Sequence, residues 1–416
     1  MRILFATIGS LGDLHPCLAL ASELKQRGHT VVIASSEAHR SRVLHLGLEF
    51  RGLRPNLDPA DSTLISQCED LKNGVEILFR KLILPHLADT YADLLAAAGE
   101  CDFMLAGEMV YAAPLVAEKT GLRWASIILS PCSFFSAHDP SFLVPMPQLI
   151  RLRRLGWRIN RTVLNLATSL TSHWWKPVKQ LRIQEGLDPN CAPLTRDKFS
   201  PHLVLALFSS AFAERQPDWP ESTVQPGFAF YDQSSVTNES SDLAHFLEDG
   251  DPPIVFTLGS TAVSNPGNFF QSSQKAALRL GKRAVLIGAR DLQSHPDRIF
   301  SIPYAPYSQV FPRASVIVHQ GGSGTTGQAL RAGRPMLFVP YGWDQPDNAL
   351  RVERLGSGLS LARRRYSAET AMPMLDRLLT ETHFARRAAF LADKIKPQRG
   401  VDDACDAVEK AMADAS

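Results

Sequence analysis

The chain has 416 residues, 45% of them apolar and 21% charged, with a formal net charge of +2. That length exceeds one ordinary core and predicts two or three domains of about 100–200 residues each. The composition is that of a soluble globular protein, and the near-balanced charge gives no electrostatic reason to expect a nucleic-acid partner.

Met1-Arg2 ahead of the apolar run Ile3–Ile8 imitates a secretion signal. The run is too short for a signal core, and Gly-Ser-Leu-Gly-Asp follows it instead of a cleavage site. It reads as a buried first strand, with Gly9–Asp13 as a glycine-containing loop. A helix is expected from Pro16 to about Arg27, with Leu18, Leu20, Ala21 and Leu24 at helical spacing. Gly28 stops it and Val31–Ala34 is the next strand. The alternation returns with a strand at Asp102–Ala106, a helix at Ala113–Thr120 and a strand at Trp124–Leu129. Strands alternating with helices imply a parallel sheet covered on both faces.

The pattern breaks after Pro131. Proline is dense over Pro140–Pro147, and Leu149–Trp175 is helical, basic and aromatic, with Arg151, Arg153, Arg154, Arg158, Arg161, Trp157, Trp174 and Trp175. Such a stretch fits either a surface helix pair packed on the sheet or an amphipathic helix lying on an anionic membrane. Strand character resumes at Val204–Phe208. Residues from Asp218 to Asp242 are rich in Pro, Gly, Ser, Asn and Asp and form the best linker candidate.

A second set of βα units follows. Strands are expected at Ile254–Leu258, Ala284–Ile287, Val316–His319 and Met336–Val339, and helices at Phe269–Leu280 and Thr325–Ala332. The loop Gly259-Ser260-Thr261 follows the first of these strands, and residues 368–415 are helical. The domain expectation is therefore 1–220, a linker at 221–242, a second domain at 243–390, and a C-terminal helix at 391–416 packing back on the first domain. No run approaches the apolar length of a transmembrane helix. Cys17, Cys68, Cys101, Cys132, Cys191 and Cys405 are scattered without a C-x-x-C pair, so neither a disulfide framework nor a zinc site is expected. They read as reduced, mostly buried thiols of a cytosolic protein.

The densest chemical signal is Val316-Ile-Val-His319-Gln-Gly321-Gly322-Ser323-Gly324-Thr325-Thr326. A buried strand enters a glycine-rich turn and then a helix, whose first N–H groups and positive dipole end suit a diphosphate. A tight strand-to-helix turn without a ligand has the same composition. The neighbours add weight to the first reading: Tyr304-Ala305-Pro306 lies fifteen residues upstream, and Gly333-Arg-Pro335 and Pro340-Tyr-Gly-Trp343-Asp344-Gln345 lie downstream.

This ordered set resembles the C-terminal signature of the UDP-glycosyltransferase family, and the N-terminal loop extends the resemblance over the whole chain. The resemblance implies an α/β GT-B fold, with two Rossmann-like doubly wound domains facing across a cleft. It also implies a glycosyltransferase using a nucleotide-sugar co-substrate and no other cofactor. By the same resemblance Tyr304, where Trp is usual, stacks on the base beside Ala305. His319, Gly321, Ser323, Gly324 and Thr325 hold the diphosphate, Ser260 and Gly12 add donor contacts, and Asp344 and Gln345 bind sugar hydroxyls. Gly327 stands where many members place a ribose-binding Glu, and Gln328 follows it. That departure leaves UDP and dTDP both open. Gln328 with Asp344-Gln-Pro-Asp-Asn348 resembles rhamnolipid rhamnosyltransferases, while bacterial sterol and macrolide glucosyltransferases are comparable matches.

The general base is implied in the N-terminal loop. Asp13 occupies that place, and it also fits a helix N-cap. His15 is the alternative base, and Glu108 sits where a partner acid would lie or where an exposed loop acid would. The implied reaction is an inverting, metal-independent transfer of a hexose to a hydroxyl of a hydrophobic small-molecule or lipid acceptor. No metal site is expected, since Asp58 and Asp61 have the wrong spacing for D-x-D. The protein would be cytoplasmic, with peripheral contact at the inner membrane face as the further option. A sugar-nucleotide epimerase and a non-catalytic sugar-nucleotide-binding partner protein are the competing functions.

Overall fold

A computed structural model describes residues 1–414 except 57–61, 72, 143, 145, 233–240, 261, 290–291, 293–294 and 296. Asp58, Asp61, Thr261 and the middle of the expected linker lie outside the described residues. The chain forms two compact units: Met1–Asp61 with Asp70–Ala229 and Arg399–Ser416, and Ser62–Glu69 with Phe230–Gln398.

The first unit holds β1 (Arg2–Ala6), β2 (Thr30–Ser35), β3 (Glu49–Gly52), β4 (Phe103–Gly107), β5 (Trp124–Ile128), β6 (Leu203–Ala206) and β7 (Thr223–Val224). They form one parallel sheet in the order β3-β2-β1-β4-β5-β6-β7. Ile3, Leu4, Phe5, Phe103, Met104, Leu105 and Leu205 are fully buried. Strands of this kind read as continuous apolar runs because helices cover both faces. Strand order reverses between β1 and β4, and ligand crevices in such sheets open at that point beyond the carboxyl ends of the strands.

The second unit repeats the plan with β8 (Ile254–Thr257), β9 (Ala284–Ile287), β10 (Ile299–Ile302), β11 (Val316–His319), β12 (Met336–Phe338) and β13 (Gly358–Ser360). All pairs are parallel, in the order β10-β9-β8-β11-β12-β13, so its reversal falls between β8 and β11. Phe256, Leu286, Val318 and Leu337 build the core on this sheet.

One expectation is corrected and another is refined. The first helix begins at Leu11, not Pro16, and Pro16 lies inside it. The start signal is Ser10, which caps the helix and forms a capping box with Asp13. Asp13 is therefore the third helical residue and not the N-cap. The C-terminal stretch is three helices, Ala368–Thr380, Thr382–Ile395 and Gly400–Ala413. Extended backbone at Glu381 and a turn before Gly400 separate them.

Gly400–Ala413 packs on the helix Leu11–Gln26 within the first unit. Arg27 Nη1 bonds Asp406 Oδ1 at 2.5 Å and Glu409 Oε2 at 2.8 Å, and His29 Nε2 meets Glu409 Oε1 at 3.0 Å. Cys17, Cys68 and Cys405 are buried, whereas Cys101, Cys132 and Cys191 are half-buried, so the thiols divide evenly between the two environments.

Candidate active site

At the reversal between β1 and β4, the chain leaving β1 passes Thr7 and Gly9 and enters the helix at Ser10. Asp13 Oδ2 accepts from Ser10 N at 2.8 Å and Ser10 Oγ at 3.3 Å, and Ser10 Oγ accepts from Gly12 N at 3.1 Å. The box fixes the carboxylate rotamer. Gly9 has φ +140, and a Cβ there would collide with the Asp13 carboxylate, so glycine is required at this approach. Gly12 lies in the first turn of this helix, in the first unit, with its N–H spent on the cap.

Asp13 and Glu108 line one small cavity together with Thr7, Cys17 and Met109. The structure thus brings together two of the three catalytic candidates. Glu108 Oε2 stands 3.7 Å from Lys198 Nζ. Lys198 is buried, and burial lowers its pKa while Glu108 opposes the shift. Its ammonium also lies 5.2 Å from the Phe135 and Phe199 ring centroids. Phe135 has φ 49, a left-handed conformation that is strained for an aromatic residue.

His15 is placed differently. Its Nε2 accepts from Arg42 Nη1 at 2.9 Å. Burial, then the Arg42 charge, then His39 lower its pKa to about 4. The ring nitrogen that would abstract a proton is already occupied by a cationic donor.

The second reversal, between β8 and β11, is built from neutral donors. His319 ends β11 and is fully buried. Its Nδ1 accepts from Gly321 N at 3.1 Å, which puts the proton on Nε2, a buried atom with no hydrogen-bond partner among the described residues. Burial lowers the imidazole pKa to about 3, so the ring is neutral at physiological pH. Gly321 has φ +102, and a Cβ there would stand 3.0 Å from Phe338 Cδ1 and 3.1 Å from Gln345 O.

The helix Ser323–Ala332 then starts at Gly322 without a side-chain cap. Opening N–H groups without a side-chain cap are the arrangement that suits an anion. A Cβ on Gly324 would meet nothing within 4 Å, so the turn is open above it. Exposed Ser260 follows β8 beside Gly259, which packs so tightly on Gln320 that a Cβ would overlap its amide.

The sugar-binding candidates are wired to this turn. Asp344 Oδ2 accepts from Ser323 Oγ at 2.7 Å and from Asn348 Nδ2 at 2.8 Å. Asn348 Nδ2 also donates to Gly321 O at 2.9 Å. Gln345 Oε1 accepts from Tyr341 N at 2.8 Å and Gly342 N at 3.2 Å, which leaves its amide NH2 to donate elsewhere. Between Gly342 and Asp344, Trp343 takes φ 56, and its buried Nε1 has no hydrogen-bond partner among the described residues.

Tyr304 is 55% exposed, as a residue offering a ring face must be, and Ala305 beside it is buried. Thr325 sits in the first helical turn. Gly327 is buried in mid-helix, and the Gln328 amide is committed: it donates to Asp232 Oδ1 at 3.2 Å and accepts from Arg331 at 2.7 Å.

Sequence reasoning missed Lys198, Asn348 as an organiser, and Tyr307, whose hydroxyl meets Thr257 Oγ1 at 2.9 Å at the end of β8. Asn348 falls three residues after Gln345 in the quoted motif, one helical turn on, which is the signal that could have found it. Lys198 and Tyr307 are joined to the sites only through the tertiary fold. Among the described residues no three His, Cys, Asp or Glu side chains are grouped as metal ligands, and no helix is long and apolar enough to cross a membrane.

Two parallel Rossmann-like units, one presenting carboxylates and the other a glycine-rich turn into an uncapped helix, define a GT-B-fold glycosyltransferase. Comparison with known proteins agrees. Residues 3–124 match the glycosyltransferase family 28 N-terminal domain, and residues 285–400 match the erythromycin biosynthesis protein CIII-like C-terminal domain. The chain is 31% identical to O-mycaminosyltylonolide 6-deoxyallosyltransferase of Streptomyces fradiae, over 99% of this chain and 97% of that one. It is 26% identical to a sterol 3-beta-glucosyltransferase of Yarrowia lipolytica, over 98% of this chain but 28% of that much longer protein. The fold matches the spinosyn rhamnosyltransferase SpnG, solved with thymidine diphosphate, at TM-score 0.66 and 18% identity, covering 98% of this chain and 100% of that one. The chain belongs to the UDP-glycosyltransferase family and is a glycosyltransferase enzyme.

Proposed function

We propose that this enzyme moves a deoxyhexose from a dTDP-linked donor to a hydroxyl of a hydrophobic acceptor, with inversion and without a metal ion. The observation that carries the reading is the turn from His319 to Thr325. A buried, neutral, Nε2-protonated histidine and an uncapped helix N-terminus converge where a leaving diphosphate needs charge stabilisation. Asp344, tied to that turn through Ser323 and Asn348, and Gln345 receive the sugar. Asp13 is the base that takes the acceptor proton as its oxygen attacks the anomeric carbon, and Glu108 with Lys198 sets the charge beside it. His15, already bonded to Arg42, serves structure.

Two facts support dTDP over UDP. Gly327 offers no acid to a ribose 2′-hydroxyl, and the Gln328 amide already bonds Asp232 and Arg331. The relatives add weight, since SpnG is described with thymidine diphosphate and the Streptomyces fradiae relative is named for a deoxysugar. The relatives' tylonolide and sterol names support a hydrophobic acceptor.

Peripheral membrane contact belongs to the same reading. On the helix Trp157–Leu170, Ile159, Leu166 and Leu170 are exposed at helical spacing, with Arg158 flanking them. Co-sedimentation with anionic vesicles at low salt, lost in Leu166→Asp/Leu170→Asp, checks that part.

A thermal-shift series with dTDP and UDP tests the donor. A ligand at about 100 times its Kd stabilises the native state by about 2.7 kcal/mol, so dTDP should raise Tm well beyond UDP at equal concentration. The reverse order sinks the dTDP assignment. Activity unchanged by EDTA is expected, and abolition by chelator contradicts the metal-independent mechanism.

A further inference from the structure

The stretch Ser62–Glu69 interrupts the first unit in sequence but packs in the second. It ends on Glu69, whose side chain is fully buried. Glu69 Oε2 meets Arg363 Nη1 at 3.3 Å, while Oε1 is buried with no hydrogen-bond partner among the described residues. Arg363 lies over Tyr341, its Cζ 3.7 Å from the ring centroid, and donates through Nη2 to Asn265 O at 2.9 Å. The Tyr341 hydroxyl donates to Pro266 O at 3.0 Å, and the Tyr341 and Gly342 N–H groups bond the Gln345 side chain. The Glu69 backbone comes so close that a Cβ on Gly342 would stand 3.2 Å from Glu69 O. A single chain of contacts, Glu69 to Arg363 to Tyr341, therefore touches both loops beside the diphosphate turn: the one after β8 and the one after β12.

We infer that Glu69 is a positioning residue for donor-sugar recognition, which in its ionised form draws Arg363 onto Tyr341 and so sets the 341–345 loop carrying Asp344 and Gln345. The inference rests on the assignment of Asp344 and Gln345 to the donor sugar. A pair kept only for stability would satisfy both carboxylate oxygens or be replaced by apolar packing, because a half-satisfied buried charge is costly. Among the described residues, the groups facing the carboxyl are Arg363 and the Tyr341 phenol, which burial holds protonated.

Burial pushes the Glu69 carboxyl up to about 7, with Arg363 opposing. Below that pH the carboxyl is neutral and Arg363 loses its counter-charge; above it the clasp is charged. The folded state keeps this proton up to about pH 7, whereas an unfolded Glu releases it near its ordinary value of 4.5. Ionisation of Glu69 thus lowers fold stability as pH rises from 4.5 through 7, while it favours donor binding. A purely structural ion pair would change stability with pH in the same way but leave donor affinity flat.

The test is the affinity of dTDP-glucose for wild type, Glu69→Gln, Arg363→Met and Asp344→Ala at pH 6 and pH 8, with Tm recorded alongside. The wild type should exceed Glu69→Gln by about fivefold at pH 8 and by little at pH 6, as a coupling energy typical of one network predicts. At the same time Glu69→Gln should gain Tm relative to wild type as pH rises. Arg363→Met should bind weakly at both pH values, which keeps the inference open to test if Glu69→Gln fails to fold. A wild-type to Glu69→Gln ratio that is flat with pH, while Asp344→Ala weakens binding, overturns the role of Glu69 alone. Undiminished binding by Asp344→Ala overturns the sugar-site assignment and the inference with it.

Discussion

At the β1/β4 reversal the strands lead to side chains that carry charge: Asp13 held by Ser10, and Glu108 facing Lys198. At the β8/β11 reversal they lead to neutral donors: His319 Nε2 and the uncapped N–H groups from Ser323 onward. The topology at the two points is the same, so the difference lies in the loops. One loop spends its helix N-terminus internally, since Ser10 and Asp13 cap it. The other leaves the N-terminus open and backs it with a histidine that burial keeps uncharged. A capped helix presents a carboxylate that can take a proton, and an uncapped one presents a cradle that can take an anion. On the proposed reading, two copies of one fold serve the two ends of a group transfer.

The comparison breaks first if Asp13 is not the base. Asp13→Asn keeps the capping geometry and should lower kcat by about 10²–10⁴, while dTDP binding measured by calorimetry stays unchanged. Equal turnover by the variant removes the proton-accepting role from the first reversal. The next effect is at His319. His319→Ala deletes the buried donor and should lower kcat by about 10²–10³, with His319→Gln intermediate because its amide can donate. Glu108→Gln comes third. Losing the carboxylate beside buried Lys198 should lower kcat about tenfold and also lower Tm, because breaking a buried pair strands the remaining charge.

The smallest effect concerns acid stability. Burial and Arg42 lower the folded pKa of His15 to about 4 from its ordinary value of 6.5. Between those values the unfolded state binds the proton and the folded state does not. The His15 contribution is therefore complete above pH 6.5 and falls as pH drops toward 4. His15→Gln should show a smaller loss of Tm than wild type between pH 7 and pH 5. An identical loss in both proteins would remove His15 from the acid response.

Much of this was legible in the sequence, for physical reasons. Runs such as Val316–His319 and Ile254–Thr257 read as buried strands because both faces need apolar residues, and their alternation with helices settles a parallel sheet. The anion turn was legible because glycine at positive φ and an uncapped helix start are local properties. The start of the first helix is not legible from Pro16, which lies inside it; the capping box at Ser10 to Asp13 is the stronger local signal. Lys198, Tyr307 and Glu69 were not legible. Each reaches its site across a long sequence separation, through register and packing that no local pattern encodes. Glu69 in particular sits in a stretch whose unit of residence differs from that of its sequence neighbours.

The central claim is that the turn after His319 binds a diphosphate, and Gly324→Asp tests it most directly. A Cβ there meets nothing within 4 Å, and a carboxylate in the first turn suits the helix dipole, so the variant should fold with unchanged or higher Tm. Its carboxylate would stand where the diphosphate is placed. Titration of dTDP should show saturable binding to wild type and none to Gly324→Asp at the same concentrations. Equal affinity in the two proteins would contradict the assignment of this turn as the donor site.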